Sequence, residues 1–297
     1  MSFESLMNKC QELNRSVEAL AALGAELRLR QNGLGSDSRV PSLLQDVVHC
    51  IEPGLLDGLE PSQELAVLAL IQAFFSQAND LLENPGRDPG WSCEDPVILE
   101  SQGQVSRLIV RSIDTLASKR PALGTTLQQP GAFLDVGTCV GWLAIEAARS
   151  WPALRIVGID SWEAALTLAR KNLAQSGVSE RVELRSQRVE QLDDEKIFTL
   201  AWLPGPFIAV ELMALALERI YRALAPAGWL IIGLYRQPSD KLGQALTNCE
   251  LSEVVVIRGQ QRSSRTGSRR LGFDRIEALS PSPSIMFLMG QRPAVPR

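Results

Sequence analysis

The segment from Asp135 to Gly141 combines residue types that suit the binding of a charged ligand. A short apolar run ends in Asp135, and Gly137 and Gly141 follow it closely. Glycine permits a sharp turn and lets a ligand approach the backbone. A helix that begins just after such a turn adds a partial positive charge at its N-terminus. The segment therefore predicts a strand, a ligand-binding turn and a helix.

The spacing of this turn argues against a dinucleotide ligand. The dinucleotide fingerprint needs glycines in the spacing G-x-G-x-x-G. Counted from Gly137, its second and third positions hold Cys139 and Trp142. The third glycine permits close packing of helix on strand, and a tryptophan there would block it. A nicotinamide or flavin ligand is therefore disfavoured.

A second apolar run, from Ile156 to Ile159, also ends in an acid, Asp160. Taken alone, an acid at this place is typical of a helix N-cap or first turn. A carboxylate can also accept charge-assisted hydrogen bonds from two adjacent hydroxyls of a sugar. Because a glycine turn ends the neighbouring apolar run, the pair of segments favours a ligand site.

These segments resemble the acid-x-G-x-G-x-G turn of class I S-adenosylmethionine-dependent methyltransferases. Asp135, Gly137 and Gly141 match that pattern, and Cys139 stands at its middle glycine. Residues 166–172 resemble the second helix of the family. Residues 224–230 resemble its L-x-P-G-G-x-L turn, with Ala227 in place of one glycine. The likeness covers about residues 130–290. A less specific one, over 95–106 and 201–207, is to bacterial methyltransferases of small metabolites with an N-terminal helical cap.

The resemblance implies S-adenosylmethionine as the cofactor, with Asp160 holding both ribose hydroxyls. Family members often place an acid after the third strand to accept the adenine amino group. Arg188 stands there and cannot accept a hydrogen bond, so Gln187 or a backbone carbonyl is expected to serve. Thr199, where the family frequently has an acid, is interpreted as structural. The residues expected to contact the cofactor are Asp135, Gly137, Thr138, Cys139, Gly141, Asp160, Ser161, Gln187, Arg188 and Trp202.

Catalytic residues are not identified by the sequence. Methyl transfer from a sulfonium needs alignment of the reactants and exclusion of water, and it needs a base only when the nucleophile must lose a proton. The weak candidates for such a base are His49, Asp95 and Glu211. The poverty of bases favours an acceptor that is already nucleophilic, such as an amine, a thioether or an activated carbon. Candidate pocket residues are Trp91, Gln102 and Phe207, with Trp202 as a further possible wall.

The elements that must position these residues fall into two regions. Residues 1–120 have helical periodicity and predict an all-helical N-terminal cap that covers the substrate. Residues 121–297 alternate short apolar runs with helical patterns, which is typical of a parallel sheet with crossover helices. Two late strands are joined by only residues 280–284, too few for a crossover, so they should be antiparallel. The prediction is an α/β fold with a Rossmann-like, mostly parallel seven-stranded sheet and an antiparallel last strand.

Composition limits the partners. Of the 297 residues 45% are apolar, the net charge is −4, and the pI is about 5.3, so no overall positive field gathers nucleic acid or anionic lipid. Five scattered cysteines fit reduced thiols better than disulfides or a zinc site. The N-terminus lacks a signal-peptide pattern, and no uninterrupted apolar run reaches the ~18 residues of a membrane span. We therefore expect a cytoplasmic protein without a bound metal.

Two surface features allow alternative interpretations. Apolar residues of the first helix recur in steps of four and three, which suits packing within its own domain or the seam of a homodimer. The run from Arg258 to Arg275 holds six arginines. Such a run is usually a solvated loop, and the alternative is a patch for an anionic acceptor or carrier.

The sequence thus predicts a methyltransferase of a small acceptor of the specialised-metabolite class, with its cap enclosing the site. One alternative is a methyltransferase of a protein or carrier-bound acceptor. The other is a degenerate, non-catalytic interaction module, suggested by Cys139 and Arg188.

Overall fold

A computed structural model of the chain describes residues 2–32, 39–86, 96–236, 239–250, 272–280 and 285–294. Contacts divide the chain into two units, Met1–Pro85 and Gly86–Arg297. The described α-helices are α1 Phe3–Asn32, α2 Arg39–Ile51, α3 Pro61–Glu83, α4 Pro96–Ser118, α5 Pro121–Gln128, α6 Trp142–Ser150, α7 Glu163–Ala174, α8 Val210–Ala223 and α9 Lys241–Glu250. The strands are β1 Gly131–Val136, β2 Leu154–Asp160, β3 Val182–Ser186, β4 Phe198–Pro204, β5 Leu224–Tyr235, β6 Asp274–Leu279 and β7 Ile285–Gln291.

The first unit is helical and has a small core of its own. Leu27 of α1 is fully buried and shares an apolar cluster with Leu68 and Ile71 of α3. Gly24 lets α1 approach α3, because a β-carbon at this position would lie 3.1 Å from Cγ2 of Ile71. The C-terminal half of α1 therefore packs within its own unit, as one of the two sequence interpretations expected.

The N-terminal half of α1 has a different environment. Residues 2–18 are all exposed, and they include Leu6, Cys10, Leu13 and Val17 of the predicted apolar stripe. The described part of the first unit therefore covers only the later part of that stripe.

The second unit is built on a seven-stranded sheet in the order β3-β2-β1-β4-β5-β7-β6. Strands β1 to β5 pair in parallel, whereas β7 runs antiparallel to both β5 and β6. The predicted fold class is confirmed. Because β1, β2, β3 and β4 are parallel, their carboxyl ends meet at one edge of the sheet, where ligands of open α/β sheets bind.

Alternating strand residues feed two apolar layers, one on each face of the sheet. Phe133 and Trp202 point into the layer that α4, α5 and α6 complete. Leu134 and Leu203 point into the opposite layer, which α8 completes. Burial on both faces explains why these strands read as nearly continuous apolar runs in the sequence.

The division after Pro85 places α4 with the sheet, together with α5, although the sequence prediction assigned residues 1–120, and therefore α4, to the cap. The physical reason is that α4 buries Val110 and Ile113 in the layer beneath the sheet. Helicity alone could not show which core these helices join. The covering role of the helical region stays a prediction.

Helix α3 is long and apolar enough to cross a membrane by length and composition. The core helix of a protein that spans no membrane can have the same length and composition. Several of its side chains, among them Leu68 and Ile71, belong to the core of the first unit. Cytoplasmic location stays a prediction.

Candidate cofactor-binding site

The turn after β1 is joined to the end of β2 by its backbone. The N–H groups of Gly137 and Thr138 both donate to the carbonyl oxygen of Ile159, at 2.9 and 3.0 Å. Gly137 and Gly141 have φ angles of 68° and 83°, in the left-handed region that glycine adopts without strain. The two glycines that match the family pattern are thus required by the backbone.

Cys139 is also left-handed, with a φ of 50°. Its N–H donates to Oδ2 of Asp160 at 2.8 Å. Burial raises the pKa of the Cys139 thiol to about 12, and the negative charge of Asp160 adds to this rise. Cys139 is therefore a neutral thiol on a strained backbone, at the position where the family pattern has glycine.

Asp160 accepts two backbone hydrogen bonds at the end of β2. Besides the N–H of Cys139, it accepts the N–H of Trp162 on Oδ1 at 2.9 Å. Burial raises the pKa of Asp160, although these N–H donors oppose the shift. The residue is only partly buried. A carboxylate has about four acceptor sites, so capacity for ligand hydroxyls remains.

Asp135 lies deeper than Asp160. It is 1% exposed, and Oγ1 of Thr138 donates to its Oδ2 at 2.7 Å. Burial raises the pKa of Asp135 to about 7, against the opposing effect of this hydrogen bond. Thr138 fills the space beside Gly158, where a β-carbon would come within 2.6 Å of the threonine Oγ1. The sequence did not reveal this closed contact between Asp135 and Thr138.

Three more of the predicted cofactor residues lie at the same edge of the sheet. Ser161 and Arg188 are exposed, and Gln187 is partly buried. The N–H of Gln187 donates to the backbone oxygen of Asp160 at 2.8 Å, which ties the end of β3 to that of β2. Arg188 forms an ion pair with Glu190 at 3.2 Å. The structure brings these residues near Asp160, and their contacts with the cofactor stay predictions.

The side chain of Trp202 belongs to the core. It is 5% exposed, contacts the ring of Phe287 at a centroid distance of 5.3 Å, and occupies the space beside Gly233. Strand alternation points its side chain into the layer that α4, α5 and α6 complete, at the place where β4 pairs with β1 and β5. The predicted contacts of Trp202 with the cofactor and the acceptor stay predictions.

The pocket and base candidates are scattered. Phe207 is 45% exposed just after β4, and Gln102 is partly buried on α4. His49 is exposed in the first unit, and Glu211 is exposed in the first turn of α8. Neither exposed group has the enclosed environment that tunes a catalytic base. Three further predictions lie outside the described residues: those on Trp91, Asp95 and most of the arginine run 258–275.

The residues at this edge fit a cationic nucleoside cofactor. The bare Cα of Gly137 leaves space beside the end of β4, because a β-carbon there would lie 3.2 Å from Cγ of Pro204. The negative charge of Asp160 acts on the neighbouring Cys139. A carboxylate complements a cationic ligand, and an exposed glycine backbone lets a ligand approach. Among the described residues, no group of three or more His, Cys, Asp or Glu is placed to hold a metal.

Comparison with known proteins agrees with this geometry. Residues 133–228 match a family model described as a methyltransferase domain. A probable cobalt-precorrin-6B C(15)-methyltransferase from Pyrobaculum calidifontis is 28% identical over 145 residues, 47% of this chain and 73% of that protein. A ribosomal protein L11 methyltransferase from Sorangium cellulosum is 32% identical over 141 residues, 47% of this chain but only 43% of that protein.

A solved structure extends the likeness over the chain. Human N-acetylserotonin methyltransferase in complex with S-adenosylmethionine aligns with a TM-score of 0.62, covering 99% of this chain and 100% of that one at 14% identity. Identity this low shows the fold alone. The same fold is indicated by the matched domain and the mixed sheet. It is also indicated by the glycine turn and by the acid that ends β2. Residues 133–228 form a methyltransferase domain, and the chain has the fold of S-adenosylmethionine-dependent methyltransferases, with a helical region before that domain.

Proposed function

We propose that the chain transfers the methyl group of S-adenosylmethionine to a small-molecule acceptor by in-line displacement. The observation that carries the proposal is the turn from Gly137 to Gly141, which is fixed to the end of β2 at the sheet edge where cofactors bind. The bound cofactor would supply an activated methyl group on a sulfonium. Gly137 would leave room for the cofactor beside Pro204. Asp160 would accept hydrogen bonds from its sugar.

The nature of the acceptor is inferred from the extent of the resemblance. The relatives whose names include a ribosomal protein share less than half of their length with this chain. The cobalt-precorrin relative and the N-acetylserotonin enzyme, whose names include small molecules, are covered over 73% and 100% of their lengths. The second comparison includes the N-terminal helices. This extent favours a small acceptor.

We also propose that the acceptor atom needs no strong base. Of the described acids at the carboxyl edge of β1 and β2, Asp135 is sealed by Thr138 and Asp160 is engaged by two backbone N–H groups. The exposed His49 has no built site around it. An amine, a thioether or an activated carbon can attack the methyl group without prior loss of a proton.

Methyl-labelled cofactor tests the proposal. Purified protein would be incubated with it and a panel of small amines, thioethers, phenols and enolisable ring compounds, in parallel with a bacterial ribosomal protein extract. We expect label in a small-molecule fraction, and none with Asp160→Asn. Label confined to the protein fraction would contradict the small acceptor. Absence of binding of both S-adenosylmethionine and its demethylated product, measured by calorimetry, would contradict the cofactor assignment.

A separate proposal concerns partners. We propose that the exposed stripe Leu6, Cys10, Leu13 and Val17 pairs with the same stripe of a second copy. Its heptad spacing continues into the buried part of α1 and is that of a two-stranded seam. A helix half without tertiary packing is marginal in water, which favours a partner for it.

Sedimentation of the full chain tests this pairing. We expect a dimer at micromolar concentration, and a single chain after Leu13→Glu with Val17→Glu. The control is Leu242→Glu, which charges an apolar residue that is 63% exposed on α9. A single-chain mass for the wild-type protein would contradict the proposal, and so would an equal loss of mass in the control.

A further inference from the structure

Helix α4 packs against the back of the cofactor turn. A β-carbon at Gly103 would lie 2.2 Å from Cγ2 of Val140 and 2.9 Å from Cδ1 of Trp142. Glycine costs about 1 kcal/mol in a helix interior relative to alanine. Here its missing side chain gives α4 direct contact with the last residues of the turn. A shift of α4 would therefore displace Val140.

Glu100 lies one turn earlier on the same face of α4, and it connects two helices. Its Oε2 accepts the indole N–H of Trp142 at 2.6 Å, and its Oε1 accepts Nδ2 of Asn172 at 2.7 Å. The same Nδ2 also donates to the backbone oxygen of Val140 at 3.0 Å. The contacts form a closed ring through Glu100, Trp142, Val140 and Asn172. This ring ties α4 to α6, which follows the turn, and to α7, which follows Asp160.

The turn is thus held from two directions. Asp160 fixes the N–H of Cys139, and Asn172 fixes the carbonyl of the next residue, Val140. Glu100 accepts its hydrogen bonds from Asn172 and Trp142, neither of which is assigned to the cofactor, so these bonds act on the turn through those two side chains.

We propose that Glu100 is a positioning residue that preorganises the cofactor turn through Asn172 and Trp142. This inference rests on the proposed cofactor site. A turn that is ordered before binding costs less conformational entropy when the ligand arrives. The structural signature of the role is that both carboxylate oxygens are used, each by a donor from a different helix.

Glu100→Gln changes one acceptor oxygen into an NH2 group and keeps the size of the side chain. That NH2 must face either the indole N–H or the amide of Asn172, both of which are donors, so one side of the ring breaks. Trp142→Phe removes the indole donor and keeps an aromatic ring beside Gly103. If both substitutions act through the same ring of hydrogen bonds, the double variant should lose no more cofactor affinity than the weaker-binding single variant.

Calorimetry and hydrogen exchange together test the role. Losing one hydrogen bond to a charged group should raise the Kd about tenfold. We expect this for S-adenosylmethionine and for its demethylated product alike, because the backbone of the turn is affected and not a contact with the sulfonium. In the cofactor-free protein, amides of residues 137–141 should exchange about tenfold faster in Glu100→Gln, while those of β5 keep their rates.

The matched control is Glu218→Gln, which breaks an exposed ion pair with Arg222 on α8 and should leave both readouts unchanged. Three outcomes would overturn the inference. The first is a Kd within twofold of wild type for both ligands. The second is a loss restricted to the sulfonium form, which would assign Glu100 an electrostatic role. The third is faster exchange across the whole sheet. If the wild-type protein binds neither ligand, the cofactor proposal itself has failed.

Discussion

Strands β1 and β2 lie side by side and each contributes an aspartate, but the two carboxyl groups have different surroundings. Asp135 pairs with Gly158, whereas Asp160 stands two residues beyond that level, at the end of β2. The deeper acid is fully enclosed and bonded to the hydroxyl of Thr138. The outer one is partly exposed and holds the backbone of the turn. Depth relative to the strand end separates an acid that closes the core from one that can meet a ligand.

The largest effect is expected from Asp160→Asn. Its NH2 group would face one of two backbone donors, those of Cys139 and Trp162, and its remaining oxygen carries no charge. Losing charge-assisted bonds to two ribose hydroxyls should raise the Kd for S-adenosylmethionine about 100-fold or more. Calorimetry measures this change.

Asp193→Asn is the control for that measurement, since Asp193 is exposed in the loop before β4. A Kd changed by less than threefold in Asp160→Asn would place the ribose elsewhere. The contrast between the two acids would then be one of burial alone.

An intermediate effect is expected from Asp135, and it is a pH dependence of the free energy of unfolding. Its pKa is raised from 3.8 to about 7, so the folded protein keeps a proton that the unfolded chain releases. The stabilisation is complete below the unfolded pKa and is lost as the pH rises toward 7. Within that window the free energy of unfolding should fall by about 1.4 kcal/mol per pH unit from this group. Asp135→Asn stays neutral and should lack this slope.

Denaturant unfolding at several pH values measures the difference between wild type and Asp135→Asn, which removes the contributions of other titrating groups. Parallel curves would mean that Asp135 is ionised in the folded protein. In that case, the ionisation of Asp135 and Asp160 would differ less than their difference in burial indicates.

Much of the fold follows from the sequence, because strands buried on both faces form apolar runs and glycines separate them. The exception is the start of β5, because residues 224–230 resemble a turn in the sequence but the strand already begins at Leu224. Its first residues include Pro226 and the left-handed Ala227, which read as a turn, and the pairing with β4 shifts register there. The local sequence pattern therefore indicated the turn, but it did not indicate that the pairing of β5 with β4 includes residues on both sides of that turn.

The site was less predictable than the fold. Sequence marks the glycine turn and Asp160, since their spacing is local. It missed Glu100, because an acid on a helix has no distinctive pattern and its partners are 42 and 72 residues away. A glycine within the same helix, Gly103, was the available signal of close packing. The burial of the Trp202 side chain was equally hidden, because the face of the sheet to which it points follows from strand register, which no motif records.

The smallest effect concerns Cys139, which with Ala227 stands where the family pattern has glycine. Both residues have left-handed backbones, with φ angles of 50° and 61°. Cys139→Gly should therefore relieve strain and raise the free energy of unfolding by about 0.5–1 kcal/mol, with cofactor affinity equal or slightly higher. Cys139→Ala is the matched control because it removes the thiol and keeps the β-carbon on the same backbone, so it should bring no gain. If alanine stabilises the protein as much as glycine does, the cost lies in the buried thiol and not in the turn. The turn held by Asp160 would then be relaxed with any side chain at this position.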